Sequence, residues 1–332
     1  MRSPLVGLIL SLGLALTIAG CSPPPVEEDA PSPAVTAGRE RTAKQPNTPD
    51  SWLALGQAYM DAEMYNDAYI VYKRAWALDH HNAEALRGMA LASLELSSPE
   101  AAMVWVQQAL ALDPQDNIAL GLRGQIKLAQ GDADGAYADL MAASKIAPLN
   151  LYDSLALTNV YMAQGHTDQA VAEAELTVKR FPTDAKAHHN CAVLFDRLGR
   201  GRDAEDEYRL AIKCDPKLLQ DKLLLAEVLL RGNRSLDEAR TLALEVASKL
   251  PGDGTPAAVA ARALFLKGDK EHSLKELMDV HSRERNNALI LYWIYDEAKA
   301  TNNLELEQAA ARDLEQIMAA RAQAQKAQQG KK

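Results

Sequence analysis

The chain has 332 residues, 48% of them hydrophobic, 24% charged and only 5% aromatic. Lys and Arg number 36 against 45 Asp and Glu, a net charge of −9, and no basic stripe compensates; this excludes a dedicated nucleic-acid binder, whose affinity rests on neutralising phosphates. The 3 cysteines exclude a disulfide scaffold and a Cys-rich zinc fold, and the abundance of Ala and Leu favours an all-α chain, because both are strong helix formers and weak strand formers.

Residues 1–20 read as a secretory signal: Arg2 and the α-amino group are followed by an uncharged run from Leu5 to Gly20. That run is shorter than the roughly 20 apolar residues that span a bilayer. It ends in Leu16-Thr17-Ile18-Ala19-Gly20-Cys21, which resembles the lipobox of bacterial lipoproteins. The resemblance implies that Cys21 is lipidated (N-acyl and diacylglycerol groups, palmitate among them) and becomes the new N-terminus. Each buried methylene contributes about 0.8 kcal/mol, so several acyl chains give practically permanent attachment. Ser22 follows the cysteine instead of Asp, which in enteric-type sorting implies the outer membrane, with the body facing the periplasm.

Residues 21–48 are expected to be a disordered, Pro-rich tether. Pro23, Pro24, Pro25, Pro31, Pro33 and Pro46 fall here, without an aromatic residue. In polyproline geometry such a tether could reach at most about 80 Å.

A regular period follows. Trp52, Leu55, Gly56 and Tyr59 share one window with Ala68, Tyr72 and Ala75. Pro114, Pro148, Pro182 and Pro216 recur at one constant spacing, and Ala68, Ala102, Ala136, Ala170 and Ala204 keep the same step. Gly131, Gly165, Gly199 and Gly268 mark turns between paired helices, and Ser98-Pro99-Glu100 reads as a helix start with a capping hydroxyl. Gly56, Gly124, Ala90, Ala192 and Ala226 fall where two helices must cross closely.

The period and its Trp-x2-Leu-Gly-x2-Tyr opening resemble the tetratricopeptide repeat (TPR). The expected fold is an all-α solenoid of about seven helix pairs plus a C-terminal capping pair, spanning 49–322. The repeats fall at 49–82, 83–116, 117–150, 151–184 and 185–218. A sixth, 219–253, carries one extra residue near Gly232-Asn233-Arg234-Ser235, and a seventh, 254–287, is degenerate, with Ser273 in place of Ala. A capping pair begins at 288, and residues 323–332 form a basic tail expected to be disordered.

The resemblance also implies a partner groove lined by the first helix of each pair. Its usual places give Leu53, Gln57, Met60, Arg87, Leu91, Leu94, Ile118, Gln125, Leu128, Tyr152, Leu155, Asn159 and Met162, then Lys186, His189, Val193, Arg197, Leu223, Glu227 and Leu230. The mixture is apolar with scattered amides, suited to a helix or extended peptide; any one of these side chains could equally be buried between helices. The Lys/Asn carboxylate clamp of chaperone-binding relatives is absent, since the fifth places read Leu53, Arg87, Gly121 and Leu155.

No catalytic constellation, cofactor motif or metal motif stands out. Neighbouring residues on a helix point about 100° apart, so His80-His81 and His188-His189 do not chelate without further partners. Cys191 and Cys214 are expected to be two buried thiols, too far apart to bridge. The chain is thus similar to bacterial outer-membrane TPR lipoproteins, among them the Tad (tight adherence) lipoprotein and type IV pilotins. This implies a non-enzymatic scaffold whose partner is an envelope protein such as a secretin or pilus subunit, with no nucleic acid and no small-molecule substrate. The alternative is an adaptor that recruits peptidoglycan hydrolases or a periplasmic protease.

Overall fold

The computed structural model describes residues 32–329. The signal-like segment and Cys21 lie outside the described residues, as do positions 330–332. Among the described residues there are 17 helices and no strand, and no helix is long and apolar enough to cross a membrane. They fall into two units that meet at Pro182 and Thr183 in the sequence.

The N-terminal unit holds α1 (Pro33–Lys44), α2 (Pro49–Asp61), α3 (Tyr65–Leu78), α4 (Ala83–Glu95), α5 (Pro99–Leu112), α6 (Asn117–Ala129), α7 (Ala133–Ile146), α8 (Leu151–Ala163) and α9 (Thr167–Arg180). The C-terminal unit holds α10 (Ala185–Arg197), α11 (Gly201–Cys214), α12 (Leu219–Arg231), α13 (Leu236–Lys249), α14 (Thr255–Lys267), α15 (Lys270–Arg283), α16 (Ala288–Ala300) and α17 (Leu304–Gln329). From α2 onward the helices pair as the repeat windows require.

Local chemistry sets the boundaries. Asn82, Asp116, Asn150 and Asp184 recur once per repeat, and each side chain accepts a backbone N–H in the first turn of the next helix. Within pairs, the chain reverses through one left-handed residue. Glu63, Ser97, Gly131, Gly165, Gly199 and Asn233 all have positive φ, again one to a repeat and evenly spaced. The extra residue of the sixth repeat therefore lies after Asn233. Ser235 takes it up by adopting φ 43° immediately before α13.

Small residues sit where helices cross. Ala68, Ala102, Ala136, Ala170 and Ala204 are fully buried, as are Ala90, Ala192 and Ala226. A Cβ on Gly56 would collide with the Tyr72 ring, and one on Gly124 would come within 2.8 Å of Leu140. The core of the N-terminal unit runs continuously from Val35 to Val160. In the C-terminal unit, Ile290, Leu291 and Ile294 of α16 pack with Leu277 and Ala310.

Several expectations are corrected. Residues 33–44 are not an extended tether: they form α1, with Val35 fully buried, Gly38 against Leu55, and Arg39 donating to the Tyr59 hydroxyl at 2.9 Å. Pro33 occupies the first helical position, where its missing N–H costs nothing, and the good helix formers that follow carry the helix on. The tail expected to be disordered from 323 is helical as far as Gln329. Pro99 opens α5 as expected, but the Ser98 hydroxyl makes no capping bond. Cys191 is buried, whereas Cys214 is exposed, and no disulfide joins them. Ser273 is not mere degeneracy, since its hydroxyl is shared between the Ala261 carbonyl and Glu297 Oε2, 2.7 and 2.8 Å away.

Candidate partner-binding face

In the N-terminal unit the first helices of the pairs are α2, α4, α6 and α8. Gln57 and Asn159 are exposed on them, Tyr152 is 53% exposed and Ile118 47%. Met60, Leu91, Leu94, Leu128, Leu155 and Met162 are half-buried. A half-buried aliphatic side chain still offers part of its apolar surface to an incoming chain. Leu53 departs from expectation. It is only 6% exposed and belongs to the core.

Three of the expected polar contacts are committed to neighbouring repeats. Arg87 pairs with Asp116, whose other oxygen caps α6. Gln125 Nε2 donates to Asp153 Oδ1 at 2.6 Å. In the C-terminal unit, His189 Nδ1 lies 2.7 Å from Asp221 Oδ1, a carboxylate that is 1% exposed overall. Val193 and Leu223 are half-buried there, as is Glu227, whose carboxyl burial pushes up in pKa; Leu230, like Leu53, does not line the face and belongs to the core. His188 does not line this face: it is buried, with Nδ1 2.7 Å from Glu207.

Asp153 and Asp221 are absent from the expected groove. They stand at the third place of the fourth and sixth repeats, and each is held by a side chain from the preceding repeat. Asn150 Nδ2 also donates to Asp153, at 2.6 Å. Gly121 makes room for this carboxylate, because a Cβ there would collide with it. Burial raises the Asp153 pKa to about 6, against the opposing effect of the two amide donors. The usable signal was an acid at a normally small, buried place, with Gly121 and Gln125 one repeat earlier.

No family model matches the chain, and no curated protein matches it in sequence. Solved structures do. The chain is similar to TTC0263, a TPR protein of Thermus thermophilus, with 22% identity and a TM-score of 0.52 over 55% of this chain and 100% of that one. The fold is that of stacked tetratricopeptide repeats. PilF of Pseudomonas aeruginosa matches over 64% of this chain and 96% of its own, with 19% identity and a TM-score of 0.51. Cut9, from the Cut9–Hcn1 hetero-tetramer of the APC/C, gives 17% identity and a TM-score of 0.58 over 69% of this chain. The match spans just under half of that chain, 46%. At such identities the likeness establishes the TPR fold alone.

Proposed function

We propose that this TPR chain is a lipid-anchored protein-binding scaffold of the bacterial envelope, held through Cys21 at the outer membrane. Its first-helix face takes an apolar helix or extended segment of an assembly component, such as a secretin or pilus subunit. The observation that carries the binding role is the row of half-buried Leu and Met on α2, α4, α6 and α8, interspersed with Gln57 and Asn159. Half-buried aliphatics supply affinity on docking, while amides satisfy the backbone of the bound segment. Supporting the envelope assignment is the Leu16–Cys21 motif. No catalytic constellation enters this reading.

The test is co-purification from detergent-solubilised envelope. Leu91→Glu combined with Leu128→Glu is expected to abolish recovery of secretin or pilus components while leaving the circular-dichroism spectrum unchanged. Recovery of peptidoglycan hydrolases or a protease instead would replace the assembly reading with an adaptor.

A further inference from the structure

We propose that the seam between α3 and α5 is a lipid-contacting surface, resting on the membrane to which Cys21 ties the chain; this rests on the anchored reading above. Tyr69 and Trp76 of α3 meet Trp105 of α5, with ring centroids 6.4 and 6.0 Å apart. Beside the seam, Ile70 is 63% exposed and Val104 50%, at matching places of successive repeats. Lys73 and Arg74 are exposed on the same helix, with Asp67 half-buried near its start. Amphipathic aromatic rings flanked by aliphatic and cationic side chains are the chemistry that settles at the headgroup boundary.

The length of chain outside the structure argues for lipid over other occupants. Because α1 is folded against α2, only the segment from Ser22 to Ser32 separates its start from Cys21. At ~3.1–3.5 Å per residue this segment extends no more than about 40 Å. Helices α3 and α5, of 14 residues each, are about 21 Å long, so the first two repeats cannot move far from the bilayer surface. Three of the 4 tryptophans, Trp52, Trp76 and Trp105, fall in those two repeats. A surface confined this close to lipid operates at high effective concentration, and weak individual contacts are enough to hold it down.

The experiment uses the full lipidated chain in phosphatidylethanolamine–phosphatidylglycerol vesicles, with and without phospholipid brominated near the headgroup. The expected result is loss of tryptophan emission in the brominated vesicles. Ile70→Asp with Val104→Asp should relieve that loss while the protein still floats with the vesicles and its melting temperature holds. A second set with the single changes Ile70→Ser and Val104→Ser guards against a folding defect in the double variant. Flotation with no bromine-dependent quenching overturns the proposal and leaves the anchor standing. Absence of acyl mass on Cys21 overturns the anchored reading, and the proposal with it. Photocrosslinking from position 70 to an envelope protein, without quenching, assigns the seam to a protein partner and also overturns the proposal.

Discussion

Asp153 is a carboxylate removed from water and answered by amides, Gln125 and Asn150. Its folded pKa of about 6 lies above the ordinary value near 4. The native state therefore binds this proton more tightly than the unfolded chain does. Its favourable contribution is complete below about pH 4 and is lost as pH rises through about 6. A rise from near 4 to about 6 corresponds to up to ~3 kcal/mol across that window. Denaturant midpoints of the wild type should fall between pH 4 and 7 relative to Asp153→Asn, which lacks the titration. A carboxyl resonance of Asp153 with a midpoint near 4 would refute the burial argument. The left-handed turn residues give a second expectation. Glu63, Ser97 and Asn302 hold positive φ with a side chain present. Ser97→Gly should raise stability by roughly 0.5–1 kcal/mol, and Gly165→Ala should lower it by about 1 kcal/mol, read as melting temperature. The Asn/Asp caps at 82, 116, 150 and 184 have the same period as the prolines, but their role shows only once each side chain is seen against the first turn of its helix. Asp153 was harder to see, because a buried acid becomes intelligible only once its partners from another repeat are placed beside it.

At the level of helices, the two units are held by different means. The C-terminal unit is cross-braced by ion pairs between elements: Arg234 reaches Glu205, which Arg209 of the same helix also holds, Arg209 reaches Glu238, Arg240 reaches Glu276, and Arg262 reaches Asp296 and Glu297. The N-terminal unit relies more on aromatic packing, with Tyr69, Trp76 and Trp105 in one seam and Tyr137 against Tyr161 in another. Partly exposed pairs contribute only about 0–1 kcal/mol each and are screened by salt. Molar NaCl should therefore lower hydrogen-exchange protection in α11–α15 more than in α3–α8; equal loss in both would sink the distinction. Glu297 is the exception, since it is fully buried and its carboxyl pKa is raised by burial despite Ser273 and Arg262. Ser273→Ala removes one of its donors and should cost ~1–3 kcal/mol, although alanine is what the repeat pattern calls for. Helix pairing was readable because Ala, Pro and turn residues share one period. Helix α1 was not, because the prolines that flank it, Pro23 to Pro31 before and Pro46 after, dominate that stretch of sequence while its short packed stripe, Val35 and Gly38, carries no repeat.

Taken as a molecule, the chain joins a lipidation-like motif, a short leader and an array of helix pairs. On the anchored reading proposed above, Cys21→Ala should remove the acyl-dependent retention of the protein in the membrane pellet without changing its helical content. Wild-type protein found soluble would remove the anchor. Deleting residues 22–44 while retaining Cys21 would strip α1 from Leu55 and Tyr59. The melting temperature should then drop, because two apolar side chains of the first pair lose their cover.

The turn at Asn233–Ser235 has a consequence for how such a chain can change length. One residue added within α13 would swing every later side chain by about 100° and aim alanines at solvent. Placed in the loop, the extra residue is accommodated by one strained backbone angle, and Ala239 still reaches its pocket. Foreign peptide spliced between Asn233 and Leu236 should therefore be tolerated as an epitope tag, whereas the same graft after Leu242 should leave the downstream helices unable to assemble.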